Sequence, residues 1–172
     1  MTAVPNSSLT GEQHPAIEHH GRIKANCATA IAIQLKGGQW QSFATGLGIR
    51  LLRSGRYSHP DVLIVHGNPE LEVGEQAALV NPRVIVEITS EVPEKFDFGK
   101  FRQYKQIESL QEYILIMPDE PVFEQYVRQP DGSWTRMDVE GLEREFAFAT
   151  VPVRIPLADI YAGVTFPEPG SS

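Results

Sequence analysis

Residues 82–90 read Pro82-Arg83-Val84-Ile85-Val86-Glu87-Ile88-Thr89-Ser90. The middle of this stretch is rich in β-branched residues, the composition of strands that are covered on both faces. It predicts a central strand over 83–89. Side chains alternate along a strand, so Val84, Val86 and Ile88 share one face while Ile85, Glu87 and Thr89 share the other. Glu87 interrupts the apolar run. A carboxylate in a central strand is costly to bury alone. It needs a cation, a hydrogen-bond partner or a site open to solvent. On strand position alone, a simple pairing with an arginine explains Glu87 as well as a functional site does.

Upstream, residues 61–66 (DVLIVH) follow Pro60 and are stopped by Gly67-Asn68-Pro69, which predicts a second strand. Asp61 opens it. Aspartate is common at strand ends, but beside Glu87 it gains weight. Adjacent strands lie about 4.8 Å apart, so two strand carboxylates can share one hard cation. Mg²⁺ is commonly held by one or two carboxylates, with water completing its shell. Residues 41–45 and 47–53 read as short strands around Gly46, and 70–81 as a loop or short helix. Near the start, a helix is expected from Pro15 to the Gly37-Gly38 pair. Ile23, Cys27, Ile31 and Leu35 follow at four-residue steps, with Ala30 beside them, and form one buried stripe.

Downstream, a helix is expected over 97–108 with Phe101, Tyr104 and Ile107 on its apolar side. Lys100 lies early in it, and Tyr104 projects from the same side four residues on. Strands follow over 112–117, 122–128 and 133–138. The stretches 118–121 (PDEP) and 129–132 (QPDG) are their hairpin connections. A last strand over 146–155 and a helical turn over 157–161 complete the pattern. Helix, strands, helix, strands predicts an α/β (α+β) fold, a central mixed sheet flanked by helices with a C-terminal antiparallel extension. One domain over 14–165 is expected, with a flexible lead-in at 1–13 and a flexible tail at 166–172.

The chain has 172 residues, with 22 acidic and 15 basic side chains and a net charge of −7. That balance argues against a protein that coats nucleic acid non-specifically, but leaves room for a nucleic-acid enzyme with a local groove. The single cysteine, Cys27, excludes an internal disulfide and a multi-cysteine zinc site, and its place on the apolar stripe makes it a core residue. No apolar run reaches the roughly 20 residues of a membrane span, and residues 1–14 lack the apolar segment of a signal peptide. The expectation is a cytoplasmic protein that does not engage a membrane. His14, His19, His59 and His66 have no metal-ligand spacing. Trp40 and Trp134 read as packing residues at strand ends.

Several segments, in this order, resemble the Uma family of bacterial putative restriction endonucleases, within the PD-(D/E)XK nuclease superfamily. They are Glu18-His19-His20-Gly21-Arg22-Ile23, Tyr57-Ser58-His59-Pro60-Asp61-Val62, residues 82–90, Phe96-Asp97-Phe98-Gly99-Lys100-Phe101-Arg102-Gln103-Tyr104 and Ser109-Leu110-Gln111-Glu112-Tyr113. The likeness continues more weakly to Asp159-Ile160-Tyr161. The resemblance implies a restriction-endonuclease-like core and a metal-dependent endonuclease that hydrolyses phosphodiester bonds with Mg²⁺ or Mn²⁺. It implies Asp61 and Glu87 as metal ligands and Lys100 as the catalytic lysine. In the superfamily the lysine stands two residues after the acid; here that position is Thr89, and Lys100 matches a lysine displaced onto the next helix, with Lys95 as the fallback. It further implies that Gln103, Tyr104 and His20 contact the substrate, that the partner is nucleic acid, with DNA the first expectation, and that the protein forms a homodimer.

Three departures from the family pattern support an alternative, a catalytically degenerate nuclease-fold protein acting as a nucleic-acid-binding or protein-interaction module. The family's short helix and hairpin have no counterpart ahead of residue 15. An acid often found near Gly46 is replaced by Thr45-Gly46. The Asp97–Lys100 spacing is one residue tighter. A glycosidase with paired carboxylates is a weaker third class, because Lys100 and the scarcity of aromatic residues near the two acids do not suit sugar binding.

Overall fold

A computed structural model describes residues 13–44, 46–74, 76–89 and 98–166. The expected lead-in up to residue 12, the tail from 167, and Thr45, Ser90, Lys95 and Asp97 lie outside the described residues.

The central sheet has six strands. In chain order they are β1 (Trp40–Phe43), β4 (Val62–His66), β7 (Val84–Ile88), β8 (Glu112–Ile116), β9 (Val122–Arg128) and β10 (Trp134–Glu140), and they lie side by side in that same order. Three short strand pairs stand outside it: β2 (Ile49–Arg50) with β3 (Tyr57–Ser58), β5 (Leu71–Val73) with β6 (Ala77–Leu79), and β11 (Glu145–Ala147) with β12 (Arg154–Pro156). Only β7 and β8 pair in parallel; the other neighbours in the sheet are antiparallel. The crossover between β7 and β8 carries α2 (Phe98–Tyr104), as a parallel pair requires.

β7 is buried at all five positions, as a strand covered on both faces should be. Its alternation sorts the core into two layers. Val84, Val86 and Ile88 join Val62, Ile64, Ile114 and Ile116 against α1 (Gln13–Leu35) and α3 (Leu157–Ile160). Ile85 joins Leu63, Val65, Tyr113 and Leu115 against α2 and the small strands. The α1 stripe of Ile23, Cys27, Ile31 and Leu35 is buried in the first layer, and Phe101, Tyr104 and Ile107 are buried in the second. Both helix registers therefore follow from apolar spacing.

Burial pushes the Cys27 thiol up to about 12, with the negative charge of Asp61 adding to the effect. The neutral thiol is thus the folded form. Below the ordinary thiol value of 9.0 this group leaves stability unchanged, and from there towards about 12 rising pH destabilises the fold. Native protein at pH 8 is expected to resist iodoacetamide and to react once unfolded, read by mass spectrometry. Rapid native labelling would contradict the burial of Cys27.

The structure corrects three expectations, two about strands and one about a helix. Residues 70–81 are neither loop nor helix but the β5–β6 hairpin. Each of its strands is too short to show a period, and the hairpin is held from outside, by the Leu79 N–H donating to Gly48 O at 2.8 Å and by Arg50 pairing with Glu72 at 2.8 Å. A Cβ at Gly48 would approach Ser58 O to 3.1 Å, so a larger residue there would crowd β3. The single strand expected over 146–155 is the β11–β12 hairpin. The Phe148 N–H donates to Val153 O at 3.0 Å as the chain reverses around Pro152, which has no N–H to give a ladder. The helix expected to reach residue 108 ends at Tyr104, and Arg128 donates to the Lys105 and Ile107 carbonyls just beyond it.

Candidate functional site

Asp61 is the residue before β4, and Glu87 is the fourth residue of β7. These strands pair antiparallel with Val62 opposite Val86. Asp61 precedes Val62 and Glu87 follows Val86, so both acids lie at the same end of this strand pair. The Ile88 N–H donates to Asp61 Oδ2 at 2.9 Å and fixes the aspartate against the end of β7. Both acids are almost wholly buried, with 9% and 5% of their surfaces exposed. The negative charges of Asp61 and Glu87 both help to raise the Tyr104 phenol, burial being the larger cause, so the two acids act on one common neighbour.

Glu87 faces the α2 layer. Lys100 Nζ lies 2.5 Å from its Oε1. Tyr104 donates to Oε1 at 3.0 Å, and Tyr113 donates to Oε2 at 2.6 Å. Ser58 and Tyr104 share a further hydrogen bond of 2.6 Å. Burial, followed by the charge of Glu87, pushes both phenols above their usual range, so they remain donors to the carboxylate. Asp61 is served from the other layer. His20 Nε2 lies 3.2 Å from Oδ1 and 3.3 Å from Oδ2, and Lys24 Nζ lies 3.2 Å from Oδ1. His20 and Lys24 stand four residues apart on α1, so one helix face delivers both.

The structure thus brings together Asp61, Glu87, Lys100, Tyr104 and His20. Tyr104 has no exposed surface, and its hydroxyl bonds to Glu87 and Ser58. His20 Nε2 pairs with Asp61 while its side chain stays partly exposed. Gln103 is half-buried and accepts from Ser54 at 3.3 Å. It lines an open cleft of about 260 Å³ together with Lys100, Arg56 and Ser58. A larger pocket of about 520 Å³, between Ile49 and Ser109, contains neither acid and none of the predicted site residues.

Sequence reasoning missed Lys24 and Tyr113. The i, i+4 spacing from His20 was the available signal for Lys24. Strand alternation was the signal for Tyr113, which shares the α2-facing side of β8 with Leu115 and stands opposite Ile85 in the β7–β8 register.

Among the described residues no group of three or more His, Cys, Asp and Glu side chains is arranged to hold a metal ion. A site of two carboxylates is nevertheless a donor set that suits Mg²⁺ or Mn²⁺ with water as the remaining ligands. The two acids also meet the test of burial. Each has a lysine partner, Lys24 on Asp61 and Lys100 on Glu87.

Asp61 and Glu87 lie at one end of a mixed six-stranded sheet in an α/β protein. A solved structure from Anabaena variabilis, described as a putative nuclease belonging to DUF820, has the same fold. Its TM-score is 0.63 at 16% identity, over 83% of this chain and 80% of that one. The family model Uma2, "Putative restriction endonuclease", matches residues 11–158, and the chain belongs to this family. Two Synechocystis sp. proteins are similar along most of their length. The protein sll1609 is 30% identical over 139 residues, 79% of this chain and 78% of its own. The protein slr1290 is 25% identical over 150 residues, 87% and 77% respectively. Among the described residues no helix is long and apolar enough to cross a membrane.

Proposed function

We propose that the protein is a divalent-metal-dependent endonuclease acting on nucleic-acid phosphodiester bonds, with DNA as the first substrate to test. The observation that carries this reading is the pair of buried acids at the same end of adjacent strands, Glu87 paired with Lys100 and Asp61 with Lys24. Asp61 and Glu87 would hold Mg²⁺ or Mn²⁺. Such an ion supplies a water of lowered pKa and polarises the phosphate. Tyr104 and Tyr113 fix the Glu87 carboxylate, and the Ile88 N–H fixes Asp61. Lys100 places a positive charge where negative charge develops on the phosphoryl oxygens in the transition state. The cleft with Arg56, Ser54 and Gln103 continues outward from Lys100 and offers a path for the backbone.

Calorimetry with Mn²⁺ tests this reading. The wild-type chain is expected to bind the ion and to cleave DNA in its presence. Asp61→Ala should weaken ion binding at least about tenfold, as loss of one of two carboxylate ligands implies, and abolish cleavage. If wild-type protein binds no ion and cleaves neither DNA nor RNA, the fold serves as a binding module. That second reading has its own support, because Asp61 and Glu87 already have cationic partners from Lys24 and Lys100.

A further inference from the structure

Lys24 stands apart from the residues the nuclease reading uses. It comes from α1, on the layer opposite Lys100, and its Nζ lies 3.2 Å from Asp61 Oδ1. The two oxygens of Asp61 differ. Oδ2 is engaged by the Ile88 backbone N–H at 2.9 Å, a bond that anchors the residue. Oδ1 is held by side chains alone, Lys24 and His20. An ion approaching Asp61 would therefore meet Oδ1, and there it meets Lys24. The Lys24 side chain is 29% exposed, so its ammonium can leave along the solvent side while its stem stays on α1.

Charge leads to the same conclusion. Two carboxylates and two lysines leave the pair of acids balanced with no ion bound. A divalent ion adds two positive charges to a small, largely dehydrated region. Lys24 is then repelled from Oδ1, and a phosphodiester, which carries one negative charge per linkage, is the anion that suits the resulting excess. Resting on the nuclease reading, we propose that Lys24 is the resident counter-ion of Asp61, displaced by the metal and re-used as a phosphate-binding cation on the α1 side of the site. Lys100 and Lys24 then hold the substrate backbone from opposite layers of the sheet.

This exchange gives the two ligands opposite signs, which a merely structural lysine would not. Calorimetry with Mn²⁺ and fluorescence anisotropy with a labelled DNA duplex test it. Lys24→Gln is expected to bind Mn²⁺ about three- to tenfold more tightly, because a competing cation is gone. The duplex is measured in a Lys100→Ala background, so that it survives the measurement. There Lys24→Gln should leave affinity unchanged in EDTA and weaken it about three- to tenfold in Mn²⁺, with a shallower dependence on salt. Lys24→Arg keeps the charge and should stay near wild type for both ligands. If Lys24→Gln weakens both ligands together, or moves neither, the exchange is overturned while the nuclease reading stands. If wild-type protein takes up neither Mn²⁺ nor the duplex, the nuclease reading falls and the exchange falls with it.

Discussion

Replacing Lys100 by alanine is expected to lower kcat for phosphodiester cleavage by roughly 10²-fold or more, the scale of losing a preorganised donor to transition-state charge. Position 89 is threonine, so β7 itself offers no ammonium beside Glu87. The short helix α2 supplies one instead. Lys100 Nζ lies 2.5 Å from Glu87 Oε1 and 5.9 Å from the centre of the Tyr104 ring. The Lys100 side chain is 36% exposed, so the ammonium sits at the mouth of the site where a substrate oxygen can reach it. Single-turnover cleavage at saturating Mn²⁺ measures the chemical step. Lys100→Arg should recover only part of the rate, because a planar guanidinium cannot reproduce the position of a compact ammonium. An unchanged rate in Lys100→Ala would remove this residue from the mechanism.

The second large effect concerns stability. Glu112 opens β8 and is completely buried, and among the described residues its hydrogen-bond partners are neutral. Gln125 donates to Oε1 at 2.6 Å. The Ala149 N–H donates to Oε1 at 3.0 Å, and the Thr150 N–H and hydroxyl donate to Oε2 at 3.0 and 2.9 Å. This carboxylate ties the loop between β11 and β12 to the centre of the sheet. Glu112→Ala leaves several donors without an acceptor in the interior, each costing about 1–3 kcal/mol when unsatisfied. With partial relaxation, a loss of about 3–5 kcal/mol in urea unfolding is expected. Glu112→Gln retains one acceptor oxygen and should lose less. A cost under about 1 kcal/mol for Glu112→Ala would show that the loop holds its place without this contact.

The amino-acid sequence by itself determined the parts whose signal is local. The apolar steps of α1, the β-branched run of β7 and the turn residues after β8 and β9 each depend on neighbours within a few positions, and the structure reproduces them. Asp61 and Glu87 were also legible, because a charge at a strand end or within an apolar strand stands out against its surroundings. Only the tertiary structure decided the rest. Residues 71–79 carry too few alternating positions to reveal a hairpin, and their strands exist because β2 and Arg50 hold them. Lys24 meets Asp61 across 37 positions of sequence, and Glu112 meets Thr150 across 38. Helix periodicity could place Lys24 beside His20, but which sheet end that face covers was set by the packing of α1 against Val62, Val84 and Ile88. Strand alternation likewise put Tyr113 on one face of β8, while the parallel β7–β8 register brought its hydroxyl to Glu87. Local propensity thus fixes which way a side chain points from its own element, and burial of the shared core fixes what it meets.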